Sequence, residues 1–260
     1  MEVVIVPTAA EAAAIAADVV AGVVSSRPAP VLGLATGSTP LAAYALLVQR
    51  CRAGELSFAG ASAVLLDEYV GLPPDHPEGY RSVIRRELTD QIDLPPSRLF
   101  GPDVWADDLP AACAAYDALL ADLGGVDLQL LGIGADGHIG FNEPGSSLRS
   151  RTRVKTLTAA TRADNARFFT SVEEVPRHVV TQGLGTIGEA RHVLLLAVGA
   201  AKAAPVAQAV EGPLAAVCPA SVLQLHPHAT VVLDDAAAAG LRLADYYRET
   251  YAGKPSWQTL

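Results

Sequence analysis

Short apolar runs rich in Val, Leu and Ile alternate along the chain with longer Ala-rich stretches whose apolar residues recur every three to four positions. The runs predict strands at 3–6, 31–35, 63–66, 126–131, 154–157, 193–198 and 230–233. The stretches between them predict helices at about 9–25, 40–52, 79–91, 109–123, 161–169, 177–188, 200–210 and 235–251. Strands that are apolar at nearly every position have both faces covered. The expected fold is therefore α/β, a three-layer arrangement with a mostly parallel, Rossmann-like sheet and helices on both faces. No repeat or low-complexity linker divides the chain, and the Pro-containing stretches 72–77, 94–102 and 205–219 read as loops. Residues 1–260 are thus expected to form one domain. Continuous apolar runs stay well short of the roughly 18 residues of a membrane span. No basic region precedes the first apolar residues, so no signal peptide is expected.

Composition adds three constraints. The core must be built mostly from Ala, Val and Leu, because apolar residues make up 50% of the chain and aromatics only 5%. A formal charge of −9 argues against nucleic acid or an anionic membrane as partner. Cys51, Cys113 and Cys218 are odd in number and lack metal-like spacing, which fits a reducing, cytoplasmic setting.

Ligands of open α/β sheets bind outside the carboxyl ends of the strands, and three predicted strand ends carry chemistry. The richest is Gly132-Ile-Gly-Ala-Asp-Gly-His-Ile-Gly-Phe-Asn-Glu-Pro-Gly145, which sets Asp136, His138 and Glu143 among five glycines. Carboxylates orient an imidazole and raise its basicity, so this is a proton-handling set. The loop also matches G-x-G-x-x-G. However, the residues after Gly137 cannot open a regular helix and the region about 20 residues on is basic, so a dinucleotide is not expected. With one histidine in the cluster, no metal is expected. At the second strand end, Asp67 of Asp67-Glu-Tyr69 can serve as a general base, with neighbouring Glu68 structural. The third, Thr36-Gly-Ser-Thr-Pro40, reads as a Gly loop into a helix with Thr39 as N-cap and Pro40 in the first helical position. Such a helix start offers N–H groups to a phosphate.

Six of the 19 basic residues lie between 149 and 167, which gives an acidic protein a local anion site. Arg149, Arg151, Arg153 and Lys155 alternate, and on a strand they would share one face. Lys202 falls in a predicted first helical turn, where a cation opposes the helix dipole unless an anion is bound nearby. His76, His178, His192, His226 and His228 have no acid–Gly setting and are expected to be structural or exposed.

The chain resembles the glucosamine-6-phosphate deaminase (isomerising) family. The likeness is carried by Leu32–Pro40, Leu66–Leu72, Gly134–Ser147 and Ser150–Thr156, and most specifically by His138-Ile-Gly-Phe-Asn-Glu-Pro144. It implies conversion of glucosamine 6-phosphate and water to fructose 6-phosphate and ammonium, without a redox cofactor or metal. Asp67 is implied as the base carrying the C2 proton to C1, and His138 as the group that assists ring opening, relayed through Asp136 and Glu143. Ser38, Thr39, Arg167 and Lys202 are implied as the phosphate site. Some family members are hexamers activated by N-acetylglucosamine 6-phosphate. That pattern implies a homo-oligomer with effector residues Ser146, Ser147, Arg153, Lys155 and, more loosely, Tyr246. Related 6-phosphogluconolactonases share the Gly-x-Gly-x-Asp-Gly-His loop but typically lack Phe-Asn-Glu-Pro. Non-catalytic sugar-phosphate sensors of the same fold usually lose the catalytic set.

Overall fold

The computed structural model describes residues 1–255 and 257–260. Among these, the strands are β1 (Glu2–Val6), β2 (Val31–Leu34), β3 (Ser62–Leu65), β4 (Asp67–Tyr69), β5 (Leu99–Phe100), β6 (Leu128–Leu131), β7 (Arg153–Thr156), β8 (His178–Thr181), β9 (His192–Ala197) and β10 (Ala229–Asp234). The α-helices are α1 (Ala9–Ser26), α2 (Leu41–Arg52), α3 (Tyr80–Glu87), α4 (Leu109–Asp122), α5 (Ala159–Asn165), α6 (Leu184–Ile187), α7 (Ala203–Glu211), α8 (Asp235–Ala238) and α9 (Ala244–Ala252).

Seven strands form the parallel sheet anticipated from the apolar runs, in the order β1-β10-β9-β6-β2-β3-β5. Side chains along a strand point alternately to its two faces. Accordingly Leu194 and Leu196 of β9 enter one hydrophobic layer with α1 and α2, while Val193, Leu195 and Ala197 enter the other. Leu32 and Leu34 against Val31, and Val232 against Val231 and Leu233, divide in the same way. The chain is apolar at consecutive positions because both faces of the sheet are covered.

Helix α1 starts with a capping box between Thr8 and Glu11 and buries Ala12, Ala13, Ala16, Ala17, Val20 and Val24 in the core. By length and average composition it is also long and apolar enough to cross a membrane, although Glu11 and Asp18 interrupt its apolar run. Its apolar face is taken up by the sheet and α2.

A second, three-stranded antiparallel sheet, β4-β8-β7, was not anticipated. The helix predicted at 177–188 is instead strand β8 followed by the one-turn helix α6. Val179, Val180 and Thr181 are β-branched and wholly buried, which suits a pleated strand better than a helix. Four further differences have local causes. The helix predicted at 235–251 breaks near Gly240, where a Cβ would lie 2.8 Å from the Ala203 carbonyl oxygen, so α7 passes too closely for a larger residue. The helix predicted at 161–169 begins two residues earlier, at a Thr158 N-cap, and passes into a 3₁₀ turn after Asn165. The 94–102 loop contributes edge strand β5, and Pro205 sits in the first turn of α7, where a missing N–H costs nothing. Pro40, not Thr39, is the N-cap of α2, and it makes no side-chain cap.

At the amino ends of the strands, the buried ring of His192 stacks on His228 with centroids 3.7 Å apart and bonds the Thr230 hydroxyl at 2.9 Å. Burial, then the neighbouring His228 and His226, lower its pKa from 6.5 to about 4. The fold therefore favours neutral His192. This contribution is fully present above pH 6.5 and is lost as pH falls through about 4. At roughly 1.4 kcal/mol per pKa unit it amounts to roughly 3 kcal/mol. Denaturant unfolding at a series of pH values should show stability declining across this window, and His192→Gln should flatten the decline. An equally steep decline in the variant would assign it to other groups.

Candidate active site

The carboxyl ends of β2, β3, β6 and β9 open onto a cavity of about 740 Å³. Of the residues singled out from sequence, Ser38, Thr39, Asp67, His138, Arg167 and Lys202 line it. Asp136 and Glu143 stand behind that wall.

Asp67 begins β4, opposite Thr181 of β8, and is 5% exposed. Burial, and then the charge of Glu68, hold its carboxyl well above the usual carboxylate range. A carboxyl with a raised pKa is a stronger proton acceptor than a solvated one. Glu68 points the other way, and among the described residues no ion pair joins it to a basic side chain. Its carboxylate accepts the backbone N–H groups of Tyr69, Tyr80 and Arg81, each at 2.8 Å, and so closes the open start of α3.

The His138 loop is shaped by close approach. A Cβ at Gly134 would lie 2.1–2.4 Å from three atoms of the His138 ring, so the ring folds directly over a backbone that has no side chain. Gly137 has φ of +82°, and a Cβ there would also meet Cys218 Sγ at 2.7 Å. The Asp136 carboxylate grips His138 twice, at ring Nδ1 (2.5 Å) and at the backbone N–H (3.1 Å). The His138 hydrogen bond lowers the Asp136 pKa, which keeps it an ionised acceptor for Nδ1–H. The proton-exchanging atom of His138 is then Nε2.

Glu143 departs from the expected relay. Among the described residues no hydrogen bond or ion pair joins it to His138. Its buried carboxylate accepts the hydroxyls of Thr161 and Thr158, at the start of α5. The sequence reading missed both threonines. Their signal was the Thr158-x-x-Thr161 cap pattern at a helix start, which places two hydroxyls on one side of the first turn. It also missed Tyr80, which lines the cavity from α3 with its hydroxyl 3.2 Å from that of Tyr69.

The cations converge as anticipated. Lys202 Nζ donates to the Ile133 carbonyl at 2.6 Å, and its pKa is lowered by burial and then by nearby Arg167. The turn carrying Lys202 is fixed by Asp234, which accepts the Gly199 N–H at 2.9 Å and the Ala237 N–H at 2.8 Å. Arg167 lies over the Phe168 ring, 4.8 Å from its centroid. A partly desolvated lysine beside a second cation at an open cavity makes a ready anion site.

The alternating basic stretch is less regular than its spacing suggests. Strand β7 begins only at Arg153, so the four residues do not share a strand face. Arg151 instead pairs with Asp117 and Glu189. Arg153 and Lys155 are half-buried on one face of β7, with Val154 and Thr156 outward. Ser146 is buried with its hydroxyl unpartnered, and Ser147 accepts the Arg149 N–H. Tyr246 is not brought to this group. It lies on α9, which packs on β1, and its ring neighbour is Tyr247.

Gly134→Ala should displace the His138 ring without disturbing the core. A shift of about 1 Å costs about 100-fold in turnover. Steady-state kinetics together with a melting curve will check this, and a fully active, stable variant would remove the case for a ring seated on Gly134.

Comparison with known proteins follows the same lines as the geometry. A family model described as glucosamine-6-phosphate isomerases/6-phosphogluconolactonase matches residues 7–232. A curated relative named glucosamine-6-phosphate deaminase, from Pseudarthrobacter chlorophenolicus, is 61% identical over 258 residues, covering 99% of each chain. One of the same name from Mycolicibacterium smegmatis is 59% identical over 259 residues, again covering 99% of each. A solved structure described as a monomeric glucosamine-6-phosphate deaminase superposes with a TM-score of 0.90 at 44% identity, over 92% of this chain and 100% of that one. The 6-phosphogluconolactonase of Trypanosoma brucei, at 23% identity and a TM-score of 0.70 over 92% of this chain and 98% of that one, shares the fold.

Proposed function

This chain belongs to the family of glucosamine-6-phosphate isomerases and 6-phosphogluconolactonases, and we propose that it catalyses the isomerising deamination of glucosamine 6-phosphate to fructose 6-phosphate and ammonium. The observation that carries this reading is the placement of a desolvated carboxyl, Asp67, in one cavity with an Asp136-oriented imidazole and the Arg167–Lys202 cation pair. The deaminase reading is further supported by Phe141-Asn-Glu-Pro144 after the histidine and by relatives of that name at about 60% identity across the whole chain.

The chemistry divides among these groups. The phosphate binds between the Gly37–Thr39 loop and the two cations. His138 Nε2 exchanges a proton with the ring oxygen as the pyranose opens, while Asp136 holds the other ring nitrogen. Asp67 takes the C2 proton, giving an enolamine, and returns it to C1, which leaves an iminium at C2; water then adds to C2 and the C–N bond breaks to release ammonia. The C2 hydrogen moves to C1 and water supplies the new oxygen, so the conversion has no net redox change. Each proton transfer assisted by a positioned group gains about 10²–10⁴ in rate. Glu143 acts from behind the wall, tying the His138 loop to α5 through Thr158 and Thr161. The effector reading belongs to the same proposal. Arg153 and Lys155 offer two half-buried cations on one face of β7 for a second sugar phosphate. Tyr246 joins them only if another copy of the chain supplies it.

The purified protein, incubated with glucosamine 6-phosphate in EDTA without nicotinamide, should release ammonium and fructose 6-phosphate in equal amounts. Asp67→Asn should abolish most of that release while still binding the sugar phosphate. The wild-type rate should fall as pH drops through the raised Asp67 pKa, because the protonated carboxyl cannot accept the C2 proton. Release of 6-phosphogluconate from its lactone, with no ammonium from the amino sugar, would instead identify a lactonase. Arg167→Ala and Lys202→Ala should raise KM by about tenfold or more with a smaller loss in kcat. Unchanged KM in both variants would place the phosphate elsewhere.

A further inference from the structure

Glu68 is the most heavily bonded carboxylate near the site, and the mechanism above does not use it. It is 3% exposed, immediately follows Asp67 in β4, and faces the first turn of α3. Two of the three N–H groups on it come from one carboxylate oxygen, Oε1, and the third, from Arg81, goes to Oε2. All three partners are donors, which favours the ionised carboxylate and works against the burial that raises its pKa. The helix start bonded in this way carries Tyr80. The Tyr80 ring forms a wall of the cavity beside Asp67 and lies parallel to Phe141, with centroids 6.0 Å apart.

We infer that Glu68 is a positioning residue for Asp67: it clamps the start of α3 so that Tyr80 shields the base, and it keeps a fixed negative charge beside the base. This rests on the reading of Asp67 as the base. The charge matters because a like charge close by in a buried site makes a carboxyl a stronger proton acceptor. The other titratable groups around Asp67 leave Glu68 in that role. Tyr80 and Tyr116 are phenols whose burial keeps them neutral far above neutral pH. The Arg81 guanidinium is engaged by the Leu99 carbonyl at 3.0 Å. His138 reaches the cavity from the loop after β6, with its ring Nδ1 held by Asp136. The residue opposite Asp67 on β8, Thr181, does not titrate.

Two measurements test this. A carboxyl ¹³C NMR titration of the wild-type protein should show Glu68 ionising at lower pH than Asp67. The reverse order overturns the inference, and this readout does not depend on any variant folding. In Glu68→Gln the amide nitrogen would confront the Arg81 N–H. The acid limb of the kcat/KM–pH profile should then move down by about half a unit or more, and kcat on the plateau should fall about fivefold as Tyr80 shifts. Glu68→Asp keeps the charge and should leave the acid limb in place. A folded Glu68→Gln protein with an unmoved limb and a wild-type plateau overturns the inference. If Asp67→Asn stays active, the base assignment itself has failed. If Asp67→Asn is inactive and the Glu68→Gln limb is unmoved, only the role of Glu68 falls.

Discussion

The two halves of the site are held in register by one buried residue, Gln182. It follows β8 and is 1% exposed. Its backbone N–H donates to the Leu66 carbonyl at 2.9 Å and its side-chain amide to the Leu65 carbonyl at 3.0 Å, which fixes the end of β3 where Asp67 begins. Its own carbonyl accepts the Asn142 side-chain amide at 2.8 Å, which fixes the loop that carries His138. In a site this dry each of these bonds is costly to leave unmade. Asp67 and His138 therefore keep one separation, even though they follow strands that are not neighbours in the sheet. The preceding residue extends the tie, since the Thr181 hydroxyl accepts the Phe141 N–H at 3.1 Å and Thr181 pairs with Asp67 on one side and Arg153 on the other.

This explains what a small antiparallel sheet is doing beside a large parallel one. The parallel sheet brings strand ends to a common edge but leaves the loops beyond them free. Strands β4, β8 and β7 add a ladder across that edge, so Asp67 belongs to regular structure rather than to a loop tip. Catalytic groups on such elements hold their geometry better than groups on unsupported loops.

The parallel sheet was legible in the sequence because burial on both faces writes itself as continuous apolar runs, as in Leu194–Leu196 and Val231–Leu233. Of the second sheet only strand β7 was legible, as the run expected at 154–157. The sheet's strands are three or four residues long, and the pairing of β4 with β8 joins segments more than 100 residues apart, as at Asp67 and Thr181. No local pattern records such a pairing. The site divides in the same way. Asp67, His138 and Lys202 follow strand ends or lie at a helix start, where type and position together suggest chemistry, whereas Arg167 lies in the 3₁₀ turn after α5 and was reached through the family resemblance. The partners of Glu143 and the wall formed by Tyr80 come from tertiary contact alone, as does the separation of Tyr246 from Arg153.

The burial of Asp67 has a consequence beyond the reaction. A carboxyl enclosed without a cation, next to a second buried carboxylate, destabilises the folded state that contains it. The protein gives up thermodynamic stability at the position where it gains a proton acceptor. Selection for heat resistance alone would favour a neutral residue there, giving a hardier protein without the proton acceptor proposed above. Thermostabilising design on this scaffold therefore has to leave β4 as it is and look for its gains in the layers on either side of the parallel sheet.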